Sequence, residues 1–349
     1  MKYLSVCSGI EAASVAWHPL GWKPVGFSEI EPFPCALLKH RFPNVPNYGS
    51  LTEYQSWPVS VGDVDLLCGG TPCQSFSVGG RREGLDDPRG QLMFSFLGLA
   101  EKTKPKWIVW ENVPGVLSSN GGRDFGSFLG ALVKLGYGFA YRVLDAVHFG
   151  TPQRRRRVFL VGCFGNWRAA AEALSLAEGL HGYLEAGGKK RKATASDAGE
   201  GAQGNSQYFD FQAIGKYGND GSASTLMARD YKDSKDLVIE PVCETVAFTP
   251  SSFAQYSEGI GTIRANGGDL GGGSEGIIVK KTAVRRLSTK ECSRLQGFPD
   301  GWTQIPWKGK SAAECPDAPQ YKAIGNSWAV PCARWIGERI NTIHNQFTR

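Results

Sequence analysis

Apolar and polar positions follow two different rhythms along this chain. Over the first 163 residues, short apolar runs at Tyr3–Cys7, Pro24–Ser28, Val64–Cys68, Trp107–Trp110, Tyr141–Val147 and Val158–Cys163 read as strands. Between several of them apolar residues recur at helical spacing, in Pro34–Arg41, Leu92–Lys102 and Phe125–Leu135. Strands alternating with helices at this interval predict a mainly parallel sheet covered on both faces, a doubly wound α/β fold. From about residue 164 the rhythm is lost. Glycine rises to 19 of the 121 residues in 164–284, and Gly187–Asn205 (GGKKRKATASDAGEGAQGN) is charged and rich in small residues. That texture predicts a loop-rich or partly disordered segment rather than a packed sheet. After Thr282 the pattern resumes, with a helix over Thr289–Gln296 and another from about Asn326 to Ile343. The chain thus divides into a body (1–163 and 320–349), an insertion (164–284) and a connecting segment (285–319). Within the insertion, Ser224–Ile239 and Gly261–Val279 share a T-[LI]-x-A pattern followed by an apolar run, a weak hint of two related hairpins.

Composition changes this picture little. With 349 residues, 41% hydrophobic and 21% charged, the chain has material for a substantial core. Net charge is +6, unevenly spread: residues 164–284 carry 12 Lys+Arg against 15 Asp+Glu, a net of −3, and the remainder carries 27 against 18, a net of +9. The positive excess therefore belongs to the two segments flanking the insertion, which suits a polyanionic partner without requiring one. Nine cysteines with no CxxC pair argue against a disulfide framework or a structural zinc site. The first residues are weak as a signal peptide, and no window approaches a membrane span. A soluble, cytoplasmic, monomeric protein is the expectation.

Three stretches carry candidate chemistry. Asp65–Gly80 (DLLCGGTPCQSFSVGG) ends a strand in Gly-Gly and then presents Cys73 on a glycine-rich loop, where open α/β sheets put their ligands. Cys73 reads either as a nucleophile or as a buried structural cysteine. Trp107–Val116 (WIVWENVPGV) places Glu111 at a strand end, a site that a turn explains equally well. In Thr151–Arg157 (TPQRRRR), strand alternation puts Arg155 and Arg157 on one face and Arg154 and Arg156 on the other.

Taken with Arg285–Trp302 (RRLSTKECSRLQGFPDGW) and Tyr321–Pro331 (YKAIGNSWAVP), these stretches resemble, in order, the motif series of bacterial and phage DNA cytosine-5 methyltransferases. The resemblance implies a Rossmann-like, S-adenosylmethionine-dependent fold with a smaller, loop-rich target-recognition domain in the insertion. It implies S-adenosylmethionine as cofactor, no metal, and double-stranded DNA as partner, with a flipped-out cytosine as the reacting base. Cys73 matches the nucleophile that adds to C6, and Glu111 the acid at N3. Arg157 matches the arginine at O2, with Arg155 supporting the pocket. In the first turn (CSGIEAA), Ser8, Gly9 and Ile10 match cofactor-binding positions, although Glu11 and Ala12 replace two glycines and Cys7 an aromatic residue. Glu29 matches the ribose-binding acid, Asp65 with Leu66 the adenine site, and Asn326 and Trp328 the segment closing over the cofactor. An RNA cytosine-5 methyltransferase and a catalytically silent DNA-binding relative are the alternatives; a dinucleotide oxidoreductase fails for want of G-x-G-x-x-G.

Overall fold

The computed structural model describes residues 1–71, 91–175 and 287–347, together with the backbone of strands at 207–212, 216–218, 237–250, 256–258 and 277–286. Cys73, the stretch Gly187–Asn205 and the T-[LI]-x-A halves of the internal echo lie outside the described residues.

Six strands form the central sheet: β1 (Lys2–Val6), β2 (Lys23–Ser28), β3 (Leu66–Gly69), β4 (Trp107–Asn112), β5 (Tyr137–Asp145) and β6 (Arg156–Phe164). Their order is β2-β1-β3-β4-β6-β5. The first four run parallel, while β6 pairs antiparallel with both β4 and β5. The sheet is thus mixed where the sequence pattern predicts mainly parallel. Antiparallel strands need no helical crossover, and here a four-residue 3₁₀ turn, Ala146–Phe149, lies on the β5–β6 connection.

Alternation along the strands builds two cores. Tyr3, Leu66, Cys68, Trp107, Val109, Phe159 and Val161 face one side, with helices α1 (Ala12–Trp17), α2 (Pro32–Arg41) and α5 (Trp167–Ala173) contributing to that core. Leu4, Val6, Leu67, Ile108, Trp110, Val158 and Leu160 face the other, under α3 (Gln91–Thr103) and α4 (Arg123–Lys134). Burial on both faces explains why these strands read as continuous apolar runs. Trp110 anchors the second core, its ring 4.6 Å from that of Phe128 and 6.0 Å from that of Phe125.

Where the glycine-rich texture predicts loops rather than a packed sheet, five further strands, β7 (Gln207–Gln212), β8 (Lys216–Gly218), β9 (Leu237–Pro250), β10 (Tyr256–Glu258) and β11 (Ile277–Arg286), form a second, antiparallel sheet in which β9 and β11 pair at length, because backbone pairing between segments distant in sequence does not depend on local apolar rhythm. The apolar tails of the internal echo fall on these two paired strands. Downstream come α6 (Thr289–Gln296), α7 (Asp317–Asn326) and α8 (Val330–Phe347). The expected single helix from Asn326 to Ile343 is two: Asn326 ends α7, Ser327 is extended (φ −78°, ψ 162°), and α8 begins at Val330 with Pro331 in its first turn. Proline is tolerated there because the first helical amides have no intrahelical acceptor.

Candidate active site

The parallel strands end at a common edge, and a cleft opens there. It is lined by β1 and its following turn (Ser5–Gly9, Glu11–Ala13), by Gly69 at the end of β3 and Gly70 after it, by Glu111 of β4, and by Asn326–Trp328 from the end of α7 toward α8. Ser8, Gly9, Asn326, Trp328 and Glu111 are therefore brought together from segments distant in sequence. Gly9 takes a left-handed conformation (φ 54°), and its amide donates to Glu29 Oε2 at 2.7 Å. The other oxygen, Oε1, accepts from the amides of Ile30 and Glu31, each at 2.8 Å. Glu29 thus caps the β2–α2 turn and stands beside the cleft turn.

Glu111 is buried, and its Oε1 lies 3.2 Å from Arg157 Nε. Burial raises its pKa, and Arg157 and Arg155 oppose the rise. Arg155 is 2% exposed and donates through Nη2 to the carbonyls of Gly325 (3.1 Å) and Ser327 (2.6 Å). It thereby ties the β5–β6 connection to the segment carrying Asn326 and Trp328. Arg154 and Arg156 are exposed, as the alternation predicts. Gly70 permits the close approach that shapes this corner: a Cβ there would stand 2.8 Å from Trp328 Nε1 and 2.9 Å from Glu111 Oε2.

The residue after Gly70 is held from β4. Trp110 Nε1 donates to Thr71 Oγ1 at 3.1 Å, and Asn112 Nδ2 to the Thr71 carbonyl at 3.3 Å. The WEN stretch therefore grips the chain two residues before Cys73.

Three expected cofactor residues are placed elsewhere. Asp65 precedes β3 at the end opposite the cleft, its carboxylate accepting from the Lys2 amide at 2.7 Å. Leu66, the first residue of β3, is fully buried in the first core. A parallel strand delivers its last residues to the ligand edge, so the β3 positions at the cleft are Gly69 and Gly70. Ile10 is also fully buried and contributes its carbonyl to Trp302 Nε1 at 2.8 Å. That bond gives RRLSTKECSRLQGFPDGW a structural role. Ser288 and Glu291 cap α6 reciprocally, Gly297 (φ 83°) ends it, and Trp302 braces the first turn. The cleft residues missed in the sequence include Ser5, Val6, Ala13, Gly69, Gly70 and Ser327. Each lies within or beside a quoted motif, but which way it faces is not a local property.

A family model, C-5 cytosine-specific DNA methylase, matches residues 1–342. The chain belongs to this family. Among its relatives, a protein of Escherichia phage P1 named DNA N-6-adenine-methyltransferase is 35% identical over 467 aligned residues, covering 97% of this chain but 61% of the phage protein. The type II methyltransferase M2.BsuMI of Bacillus subtilis (strain 168) is 29% identical, over 98% of this chain and 75% of its own. Solved structures of like fold include a methyltransferase of Entamoeba histolytica (TM-score 0.59, 15% identity, 97% of each chain) and a putative DNA modification methyltransferase from an Escherichia coli prophage (TM-score 0.58, 17% identity, 99% of each chain). This chain shares its fold with both of these solved methyltransferases. Among the described residues no group of His, Cys, Asp and Glu could hold a metal ion, and no helix is long and apolar enough to cross a membrane.

Proposed function

We propose that this protein transfers a methyl group from S-adenosylmethionine to C5 of a cytosine in duplex DNA, through a covalent bond between Cys73 and C6. The observation that carries the reading is Glu111, paired with Arg157 and set on the same cleft as the Cys7–Gly9 turn and the Asn326–Trp328 segment. Family membership supports it.

The donor set of the cleft suits the cofactor. A left-handed glycine turn lets backbone approach the ligand, Glu29 offers a carboxylate beside it, and the buried acid Glu11 suits a ligand carrying positive charge. When bound, S-adenosylmethionine supplies an electrophilic methyl group. Cytosine C5 is a weak nucleophile, and thiolate addition at C6 shifts the C5–C6 π pair onto C5, which takes the methyl. Glu111, its carboxyl pKa raised by burial, donates its proton or a hydrogen bond to N3 and so stabilises the negative charge that addition develops in the ring. Arg157, already oriented by Glu111, reaches O2, and Arg155 holds the wall behind it. Loss of the C5 proton to a base restores the double bond and expels the Cys73 thiolate. The grip of Trp110 and Asn112 on Thr71, two positions before Cys73 in the sequence, supports this role. A stacked base cannot present C6 to a thiolate, hence the reading includes base flipping.

The phage P1 relative is named for adenine N6. An exocyclic amine is methylated without addition to a ring carbon, which leaves a cysteine on this loop with no part in the chemistry. The deciding experiment digests DNA incubated with the protein and S-adenosylmethionine, then resolves its nucleosides by mass spectrometry. 5-Methyldeoxycytidine, absent with Cys73→Ser, is expected. N6-methyldeoxyadenosine in its place, or methylation confined to structured RNA supplied in parallel, overturns the proposal. Duplexes with 5-fluorocytosine at the target should trap a covalent complex, because no proton can leave C5.

A further inference from the structure

Glu11 is fully buried, yet it sits at a left-handed backbone position (φ 61°, ψ 56°) in the turn between β1 and α1. Non-glycine residues rarely adopt that conformation, so contacts must hold it there. Glu11 Oε1 accepts from Ser5 Oγ at 2.5 Å, while Oε2 accepts from the Ser14 amide at 3.1 Å and from Ser14 Oγ at 2.5 Å. A carboxylate has about four acceptor positions, so these bonds leave one, on Oε1. No cation among the described residues pairs with Glu11. A buried carboxylate without a counter-charge is costly, and burial pushes its pKa up to about 7 against the three hydrogen bonds. Glu11 also lines the cleft, with Ser8, Gly9, Ala12 and Ala13 around it.

We infer that Glu11 is the anionic partner of a primary ammonium on the ligand of this cleft, the α-ammonium of the cofactor's methionine portion, and that this contact sets affinity. The inference rests on the cofactor reading above. An ammonium presents N–H donors to the remaining acceptor position, whereas a sulfonium presents none. The groups facing Glu11 do not mask its titration. Tyr3 of β1 and Cys68 of β3 are both shifted upward by burial and by Glu11 itself, which keeps them neutral around pH 7. Cys7, in the same turn, is pushed up to about 12, and Glu111 of β4, also raised by burial, lines the far wall.

The test is calorimetric titration of the full chain with S-adenosylhomocysteine and with its analogue in which hydrogen replaces the α-amino group. At pH 8 the wild type should prefer the amine by on the order of tenfold to a hundredfold, the range of a charge-assisted hydrogen bond. Glu11→Gln should bind both compounds alike, at the level of the analogue. In the wild type the preference should also shrink between pH 8 and pH 5.5 as Glu11 takes up a proton, a readout that needs no variant. An equal preference in wild type and Glu11→Gln, or one independent of pH, overturns the inference. Binding of neither compound, nor of S-adenosylmethionine, by the wild type overturns the cofactor reading instead.

Discussion

At the scale of single residues, two buried acids divide the cleft between them. Glu11 ionises near pH 4.5 in the unfolded chain but holds its proton to about pH 7 in the fold. Between those values the folded state carries more protons than the unfolded one, so this residue's contribution to stability falls as pH rises through the window. The shift corresponds to something on the order of 3 kcal/mol above pH 7. In thermal melts without ligand, Glu11→Gln should therefore unfold at a higher temperature than wild type at pH 8, with the gap closing by pH 5. A variant melting at or below wild type at pH 8 would show that burial does not strain this carboxylate. Glu111 differs because Arg157 stands beside it. Glu111→Gln should lower turnover by about a hundredfold to ten-thousandfold, the usual worth of a positioned acid–base group, while cofactor affinity stays within a few-fold. Equal losses in both would make Glu111 a structural residue.

Among elements, the junction of β3 and β4 matters most. Gly70 brings the β3 end against Glu111 and Trp328, and Trp110 and Asn112 of β4 fasten Thr71 beyond it. Thr71→Val keeps the shape but leaves the buried Trp110 N–H without its acceptor, a loss of about 1–3 kcal/mol measurable by denaturant unfolding. Turnover should fall further than stability does, because the released segment leads to Cys73. Gly70→Ala would push a methyl group into both neighbours, and overpacking of this kind costs about 1–3 kcal/mol. The start of β6 and the residue before it add the arginine pair. Its alternation was legible in TPQRRRR, but the partners were not: the Gly325 and Ser327 carbonyls lie 170 and 172 residues away from Arg155.

For the whole molecule, the charge distribution bears on DNA. Residues 164–284 are net −3 and the flanking segments net +9, so on the proposed reading phosphate contacts would fall mainly to the flanking segments. Neutralising several phosphates releases counterions, and affinity for duplex DNA should drop by at least tenfold between 50 mM and 200 mM salt. A flat salt dependence in a fluorescence-anisotropy titration would mean that binding is not carried by this basic surface. The same scale explains the mixed sheet. Four parallel strands create the ligand edge, and the β5–β6 hairpin closes the sheet by antiparallel pairing while bringing Arg155 and Arg157 to that edge.

The chain's own order of residues determined the strands of the central sheet, most of the helices and the motif series, because alternation and helical spacing are local and burial on both faces of a sheet leaves unbroken apolar runs; it did not determine the second sheet. It also determined Glu111, the arginine pair and the Gly9 turn as candidates, since all three follow or flank strand ends. Only the tertiary structure decided which end of each strand meets the ligand. That choice removed Asp65 and Leu66 from the cleft and put Gly69 and Gly70 there, and it turned Ile10 into a braced core residue. It likewise broke the last predicted helix at Ser327, where an extended residue satisfies Arg155 with its carbonyl. The reason is that strand direction, charge pairing and cleft lining depend on contacts between segments far apart in the chain, some by more than a hundred residues, which no local pattern encodes.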